Sequence, residues 1–563
     1  MAIKKSSSSD ITKPGRRNFL TKASLLVAGA QASLVLPLTS RAGYPEASTP
    51  AYSGTRAGPE AIVETTSGKV RGMTVDGIAT FLGIPYAGDT SGRNRFMPPS
   101  KPASWGGVRD AFTYGPRCAQ RDTTSDTAAE VTDWYNQPGR EGEDCLVLNV
   151  WTPGIKDGRK RPVMFWLHGG GFHQGSAAQT YYDGKALCHR GDVVVVTSNH
   201  RLASLGYLYL AELGGSDYAQ SSNVGMLDIV TALEWVRDNI ENFGGDPGNV
   251  MIFGVSGGGS KVSNLHAMPA AKGLFHRAVI ESGPGLRSLS RDQASASAEK
   301  LLAALGIDKT HIDDLHKVPI ARLLDAQTAA ESQSSPAVFS PVVDGTTLPR
   351  NPFDPDAPEI SADVPLIIGT NKTEATYFII NELDAVYSLD EGGLETRLRP
   401  AMKDSTADVL SAYRRLYPKA SPTDLLIQIT TDRGMWINSI TLAERKAALR
   451  RGPVYMYMWA WHTPVMGGRL RSPHGGEMPF VFDTTDVAYP GTGGGPEARA
   501  LAAKMSSAWI AFARSGNPSV KELPHWEAYT ADNRATMIFN NASQVVNDPE
   551  GGARSFWQQQ MKT

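Results

Sequence analysis

The chain has 563 residues, and its 56 Lys and Arg nearly balance 57 Asp and Glu, for a formal net charge of −1. With no basic stripe, that balance excludes a phosphate-binding surface and sets nucleic acid aside. Length alone would suit roughly three or four domains of about 150 residues, but α/β enzymes often run this large as one unit.

Residues 1–42 carry Lys4, Lys5, Lys13, Arg16, Arg17, Lys22 and Arg41 against a single Asp10. The polar, basic start leads through Arg16-Arg17-Asn18-Phe19-Leu20 into an apolar stretch, then Ser40-Arg41-Ala42. This is the order of a secretory signal of the twin-arginine type, with cleavage expected after Ala42. A membrane anchor fits less well, because the apolar part is short and broken by Pro37. Export to the periplasm or beyond is therefore expected, with no stable membrane anchor once the leader is removed. Residues 43–60, rich in Pro, Ser, Thr, Gly and Ala, read as a linker to a main body over 61–550.

Within that body, 61–66 and 69–73 read as a hairpin, and 81–86 and 95–99 as extended segments with proline-fixed bends. A long polar loop from Cys118 to Cys145 follows, with Trp134 and Tyr135 in it. Segments 146–151, 163–167 and 193–197 are apolar runs without strict alternation, as expected of strands buried on both faces. Met226, Ile229, Val230, Leu233, Val236 and Ile240 mark one face of a helix ending near Phe243-Gly244-Gly245-Asp246-Pro247. Strands are predicted again at 250–253, 277–281, 365–368, 454–459 and 535–539, with a long helix over 498–513. This alternation predicts an α/β fold with a large, mostly parallel twisted sheet and helices on both faces. Helical insertions at about 286–340 and 380–450 read as lid and wall material.

The predicted strand from Val250 breaks at Gly254, and Gly254-Val255-Ser256-Gly257-Gly258 is a G-x-S-x-G between it and a helix predicted through Leu265. Such a nucleophile elbow lifts its serine on a sharp turn, with glycines where backbone segments crowd. The serine needs an imidazole to take its proton and a carboxylate to hold the imidazole, in the order Ser, acid, His. The histidines far enough downstream to follow both others are His462, His474 and His525, and His474 lies in a turn-like loop beyond the strand at 454–459. Glu374 follows the strand at 365–368, where acids reach the carboxyl edge of the sheet, with Asp344 and Asp363 as rivals. His168-Gly169-Gly170-Gly171-Phe172 offers unobstructed backbone N–H groups, so Gly170 and Gly171, with Gly257, are the expected oxyanion hole. Two-step acyl transfer by these groups calls for no metal and no organic cofactor. The three cysteines, Cys118, Cys145 and Cys188, permit one disulfide, and counting prefers no pairing.

Taken together, Phe81-Leu82-Gly83-Ile84-Pro85-Tyr86, Glu143-Asp144-Cys145-Leu146, the H-G-G-G-F, Asn199-His200-Arg201-Leu202, the elbow, Gly369-Thr370-Asn371-Lys372-Thr373-Glu374 and His474-Gly475-Gly476-Glu477 resemble the type-B carboxylesterases, which include cholinesterases. The likeness covers nearly all of residues 60–540 and implies the α/β-hydrolase fold and serine ester hydrolysis by Ser256, Glu374 and His474. It also implies supporting roles for Ser282 and Glu477, and a Cys118–Cys145 disulfide that leaves Cys188 free. Trp134, Tyr135, Phe172 and Val255 are the expected substrate-entrance residues.

Two departures stand out. The family's usual G-E-S-A-G has become Gly254-Val255-Ser256-Gly257-Gly258, which removes a carboxylate beside the nucleophile and disfavours a cationic alcohol. Lys261, where the family has a small or apolar residue, reads as a partly exposed helix position, or as a charge balancing one left unpaired. The expected partner is a small-molecule ester. A specialised target, such as a polyester oligomer or a fumonisin-type mycotoxin ester, and a non-catalytic adhesion relative are the alternatives. The physiological ester and the oligomeric state are not legible.

Overall fold

A computed structural model describes residues 60–121, 139–332 and 338–562. The expected leader, all but the last residue of the linker, and Trp134 and Tyr135 lie outside the described residues. The strands, in chain order, are β1 (Ala61–Thr65), β2 (Gly68–Val75), β3 (Ile78–Pro85), β4 (Val108–Asp110), β5 (Arg117–Cys118), β6 (Glu141–Gly142), β7 (Val147–Thr152) and β8 (Arg161–Leu167). Then come β9 (Val194–Ser198), β10 (Gly245–Val255), β11 (Arg277–Glu281), β12 (Leu366–Asn371), β13 (Val454–Trp459), β14 (Ala535–Phe539) and β15 (Gln544–Asn547).

One 13-stranded sheet runs β1-β2-β3-β7-β9-β8-β10-β11-β12-β13-β14-β15, with β4 beside β2, while β5 and β6 form a separate pair. From β9 to β14 every neighbour is parallel. The antiparallel pairings fall at the two edges, from β1 through β7 on one side and β14 with β15 on the other. The α/β-hydrolase expectation holds in this arrangement.

Alternation along the strands sorts the core into two layers. Phe165, Leu167, Ile252, Ile280, Ile368 and Met456 join one buried cluster. Met164, Trp166, Met251, Phe253, Val279, Ile367 and Tyr457 join another. The helix Val224–Asn239 closes the first layer with Met226, Ile229, Val230, Leu233 and Val236, the face read from its periodicity. The helix Gly495–Ser515 closes the second with Leu501, Met505, Trp509 and Phe512. Four helices between Glu391 and Ala448, together with Gly551–Lys562, supply most of a third cluster around Val409, Tyr413 and Trp557. Among the described residues, no helix is long and apolar enough to cross a membrane.

Two local expectations need correction. Segment 95–97 turns instead of extending, with Phe96 at φ 66°. Arg95 is buried there, donating to Glu143 at 2.6 and 2.7 Å and to the carbonyls of Leu315 and Val318, bonds that override the pull of the prolines that follow. The Cys118–Cys145 bridge is not formed, and Cys118, Cys145 and Cys188 are all free and buried. Cys118 and Cys145 are nonetheless neighbours: the Cys118 thiol, then burial, pushes the Cys145 thiol well up. Sequence brings the sulfurs together, whereas joining them depends on the redox compartment.

Candidate active site

Ser256 terminates β10 with φ 57° and ψ −122°, a conformation that a side chain rarely adopts. Its N–H donates to the Glu281 carbonyl at 2.8 Å, and its own carbonyl accepts from Ser260 at 3.0 Å as the helix Gly257–Leu265 begins. The turn needs glycine on both sides. A Cβ on Gly254 would stand 2.7 Å from the Leu167 carbonyl oxygen, and one on Gly258 only 2.0 Å from it. Ser256 itself remains partly exposed at the carboxyl edge of the sheet.

The next strand but one, β12, leads directly to Glu374, which is 1% exposed. One carboxylate oxygen accepts the Asn371 N–H at 2.7 Å, and the other meets His474 Nδ1 at 2.6 Å. The His474 loop is zipped onto the same turn. Thr373 N–H donates to the Ser472 carbonyl at 3.2 Å, Ser472 N–H to Thr373 Oγ1 at 2.8 Å, and Asn371 Nδ2 to the Pro473 carbonyl at 2.6 Å. Tyr377 and Phe378 flank the imidazole with ring centroids 5.7 and 5.0 Å away. Burial pulls the His474 pKa down, but the charge and hydrogen bond of Glu374 outweigh it, and the net direction is upward. His474 Nε2 is buried and makes no hydrogen bond. The bond to Ser256 Oγ is therefore not made in this conformation, as is common before substrate arrives.

Behind the serine lies a carboxylate cluster. Ser282, with φ 48°, donates to Glu477 Oε1 at 3.1 Å, and Asn371 Nδ2 donates to the other oxygen. Burial, then the Glu374 charge, pushes the Glu477 carboxyl up to about 7. Glu281, also fully buried, accepts from Trp509 Nε1 at 2.8 Å.

The glycine loop after β8 faces the start of the helix Gly257–Leu265. Gly170 and Gly171 have φ of 86° and 63° and are partly exposed. Phe172 packs edge-on against Tyr207 at 5.3 Å, half-buried beside this loop. Val255 is 2% exposed and packed in the core, so it presents no surface to an entrance here. Lys261 is also a correction. It is not partly exposed but 0% exposed, because its ammonium reaches the His168 and Gly171 carbonyls, each at 3.1 Å.

The rival residues lie elsewhere. Asp344 organises a turn through the N–H groups of Thr346 and Leu348, and Asp363 pairs with Arg451 at the surface. His462 and His525 are exposed. Asn371 went unassigned from sequence, although it sits inside a quoted motif. Its bond to Glu374 is local, but those to Pro473 and Glu477 only appear once residues about a hundred positions apart meet. Among the described residues, no cluster of three or more His, Cys, Asp or Glu could hold a metal ion.

Comparison with known proteins now bears on this geometry. The carboxylesterase family model matches residues 59–557. Para-nitrobenzyl esterase of Bacillus subtilis strain 168 is 36% identical over 501 residues, 88% of this chain and 97% of the relative. Fumonisin B1 esterase of Sphingopyxis macrogoltabida is 32% identical over 500 residues, 86% of this chain and 87% of the relative. A carboxylesterase crystal structure from Geobacillus stearothermophilus superposes with a TM-score of 0.77 at 36% identity, covering 88% of this chain and all of that one. With one family matched across the described body and relatives covered almost end to end, this chain belongs to the carboxylesterase family of carboxylic ester hydrolases.

Proposed function

We propose that Ser256, His474 and Glu374 form the triad of this esterase and that the N–H groups of Gly170, Gly171 and Gly257 form its oxyanion hole. The observation that carries the reading is the buried His474–Glu374 pair at 2.6 Å, with Nε2 unpartnered, at the sheet edge where the strained Ser256 stands. The ionised carboxylate of Glu374 has no proton to give, so Nδ1 carries the hydrogen and Nε2 is left as the base. Ser256 Oγ attacks the ester carbon while its proton passes to Nε2. The carbonyl oxygen becomes an oxyanion, facing the loop and helix N–H groups. Collapse expels the alcohol, protonated by the imidazolium, and water repeats the sequence on the acyl-enzyme. Ser282 and Glu477 steady the assembly from behind, through Asn371.

The substrate is proposed to be an uncharged or anionic carboxylic ester, because the residue before the serine is a buried valine instead of a carboxylate that would draw a cation. A bulky external ester is the finer proposal; one relative, by name, acts on fumonisin B1. The basic leader supports export by the twin-arginine route, which suits such a substrate. Phe172 is the proposed entrance residue among those described. Ser256→Ala tests the site: loss of p-nitrophenyl butyrate hydrolysis, together with loss of a fluorophosphonate adduct on the intact protein by mass spectrometry, is expected. Turnover retained by the purified variant would refute it.

A further inference from the structure

The loop from His168 to Gly171 has every one of its carbonyls held. In a trans peptide the C=O of one residue points opposite to the N–H of the next, so fixing a carbonyl aims the N–H that follows it. His168 Nδ1 holds the Gly169 carbonyl at 2.9 Å, and a carbonyl only accepts, so that nitrogen carries its proton. The N–H groups of His173 and Gln174 hold the Gly170 carbonyl at 3.2 and 3.1 Å. These two peptides carry the Gly170 and Gly171 N–H groups. The flanking carbonyls, of His168 and Gly171, both fall to Lys261 Nζ at 3.1 Å. One side chain thus ties the two ends of the loop together.

A second observation concerns the helix that supplies the tie. Gly257 and Lys261 are four residues apart, hence on one helix face. A Cβ on Gly257 would stand 1.9 Å from the Gly171 oxygen, so that carbonyl is seated in the space glycine leaves, with the Lys261 head beyond it. The aliphatic stem is buried and the ammonium lies 5.3 Å from the centre of the Phe172 ring. His168 and His200 stack 4.5 Å apart, and burial, then the Lys261 charge, holds the His168 imidazole down to about 3, so the ring is neutral and keeps its one proton on Nδ1. Burial lowers Lys261 itself to about 7. Carrying a buried cation is costly unless it is used.

We propose that Lys261 is a positioning residue for ester hydrolysis, clamping the His168 and Gly171 carbonyls so that the loop N–H groups stay aimed at the acyl oxygen. The inference rests on the oxyanion role proposed above for Gly170 and Gly171. Removing a whole oxyanion donor costs about 100-fold or more, so loosening the aim of two is expected to cost about 10- to 100-fold.

The test is Lys261→Met, which keeps the stem and deletes the head. On p-nitrophenyl butyrate, kcat should fall about 10- to 100-fold with KM within threefold. The inhibition constant of an alkyl trifluoromethyl ketone, whose adduct places an oxyanion in the hole, should rise by the same factor. The thermal midpoint should hold or increase, because a desolvated charge has gone. Gly257→Ala pushes on the same carbonyl, so its cost should be smaller in the Lys261→Met background than in the parent. Unchanged kcat and inhibitor affinity, a change confined to KM, or fully additive costs would each overturn the assignment. If Lys261→Met fails to fold, Lys261→Gln is read in the same assays, and failure of both to fold would make the lysine a structural member of the core and overturn it too. Ser256→Ala in the same assay separates the outcomes, since its retained activity would sink the whole site and not this clamp alone.

Discussion

Replacing Glu374 with glutamine changes one atom and the charge, and its consequence follows from what each carboxylate oxygen touches. Oε1 accepts from the Asn371 N–H at 2.7 Å and Oε2 from His474 Nδ1 at 2.6 Å. A glutamine has a single oxygen to serve these two donors. If it keeps Asn371, its NH2 faces Nδ1, the imidazole moves its proton to Nε2, and the base is lost. If it keeps His474, two N–H groups face each other in a buried site. The imidazolium that forms during attack also loses its counter-charge. Opposite charges about 4 Å apart at an effective dielectric constant of about 20 attract by about 4 kcal/mol. No discount for screening applies, since the two side chains are 7% and 2% exposed. At about 1.4 kcal/mol per decade the charge alone is worth about 10³-fold, and the tautomer penalty adds to it. The assay is kcat/KM for p-nitrophenyl butyrate across pH 5 to 9, with thermal melts to confirm folding. A fall of at least about 10³-fold is expected in Glu374→Gln. A folded variant within tenfold of the parent would refute the assignment of Glu374 as the group holding His474.

The His474 pKa is raised by Glu374, so the base is protonated at a higher pH than a free imidazole, and kcat/KM should fall as pH drops through an inflection above about 6.5. An inflection below that value would contradict the pairing. Gly258→Ala puts a Cβ 2.0 Å from the Leu167 carbonyl, backbone against backbone, and should cost about 1–3 kcal/mol in urea unfolding, unchanged stability being the contrary result. Arg201 is 2% exposed and donates to Asp228 at 2.9 and 2.7 Å, so Arg201→Met should leave a buried carboxylate unpaired and lower stability by about 3–5 kcal/mol. A loss under 1 kcal/mol would show that Asp228 is compensated by other groups.

What was legible in the chain was legible because its cause is local. Gly254 and Gly258 mark the turn at Ser256, and the pattern is written in five adjacent residues even though part of what crowds them is the Leu167 carbonyl. The strands from β8 to β13 were readable because both faces are buried, which removes polar alternation. Glu374 and His474 were ambiguous one at a time, since a loop carboxylate and a loop histidine are ordinary; their significance is a contact between residues a hundred positions apart. Lys261 was misjudged for the same reason. Its place on the helix was right, but its surroundings are set by the carbonyls that another loop presents. Val255 was read as a pocket residue from its place beside the serine, although alternation along β10 sends its side chain to the core. The adjacency of Cys118 and Cys145 is a property of the fold, whereas their oxidation state is a property of the compartment.

The zipper between the Asn371–Glu374 turn and the Ser472–His474 loop has a consequence for how such a protein diversifies. Acid and base are fastened to each other by main-chain and short side-chain bonds, so they travel as one block. Residues 372–453 leave the sheet at the first and return at β13 before the second, and they include every helix from Leu383 to Ala448. Those helices hang from a fixed hinge pin. They can be lengthened, trimmed or re-angled to suit a different ester without changing where the imidazole stands.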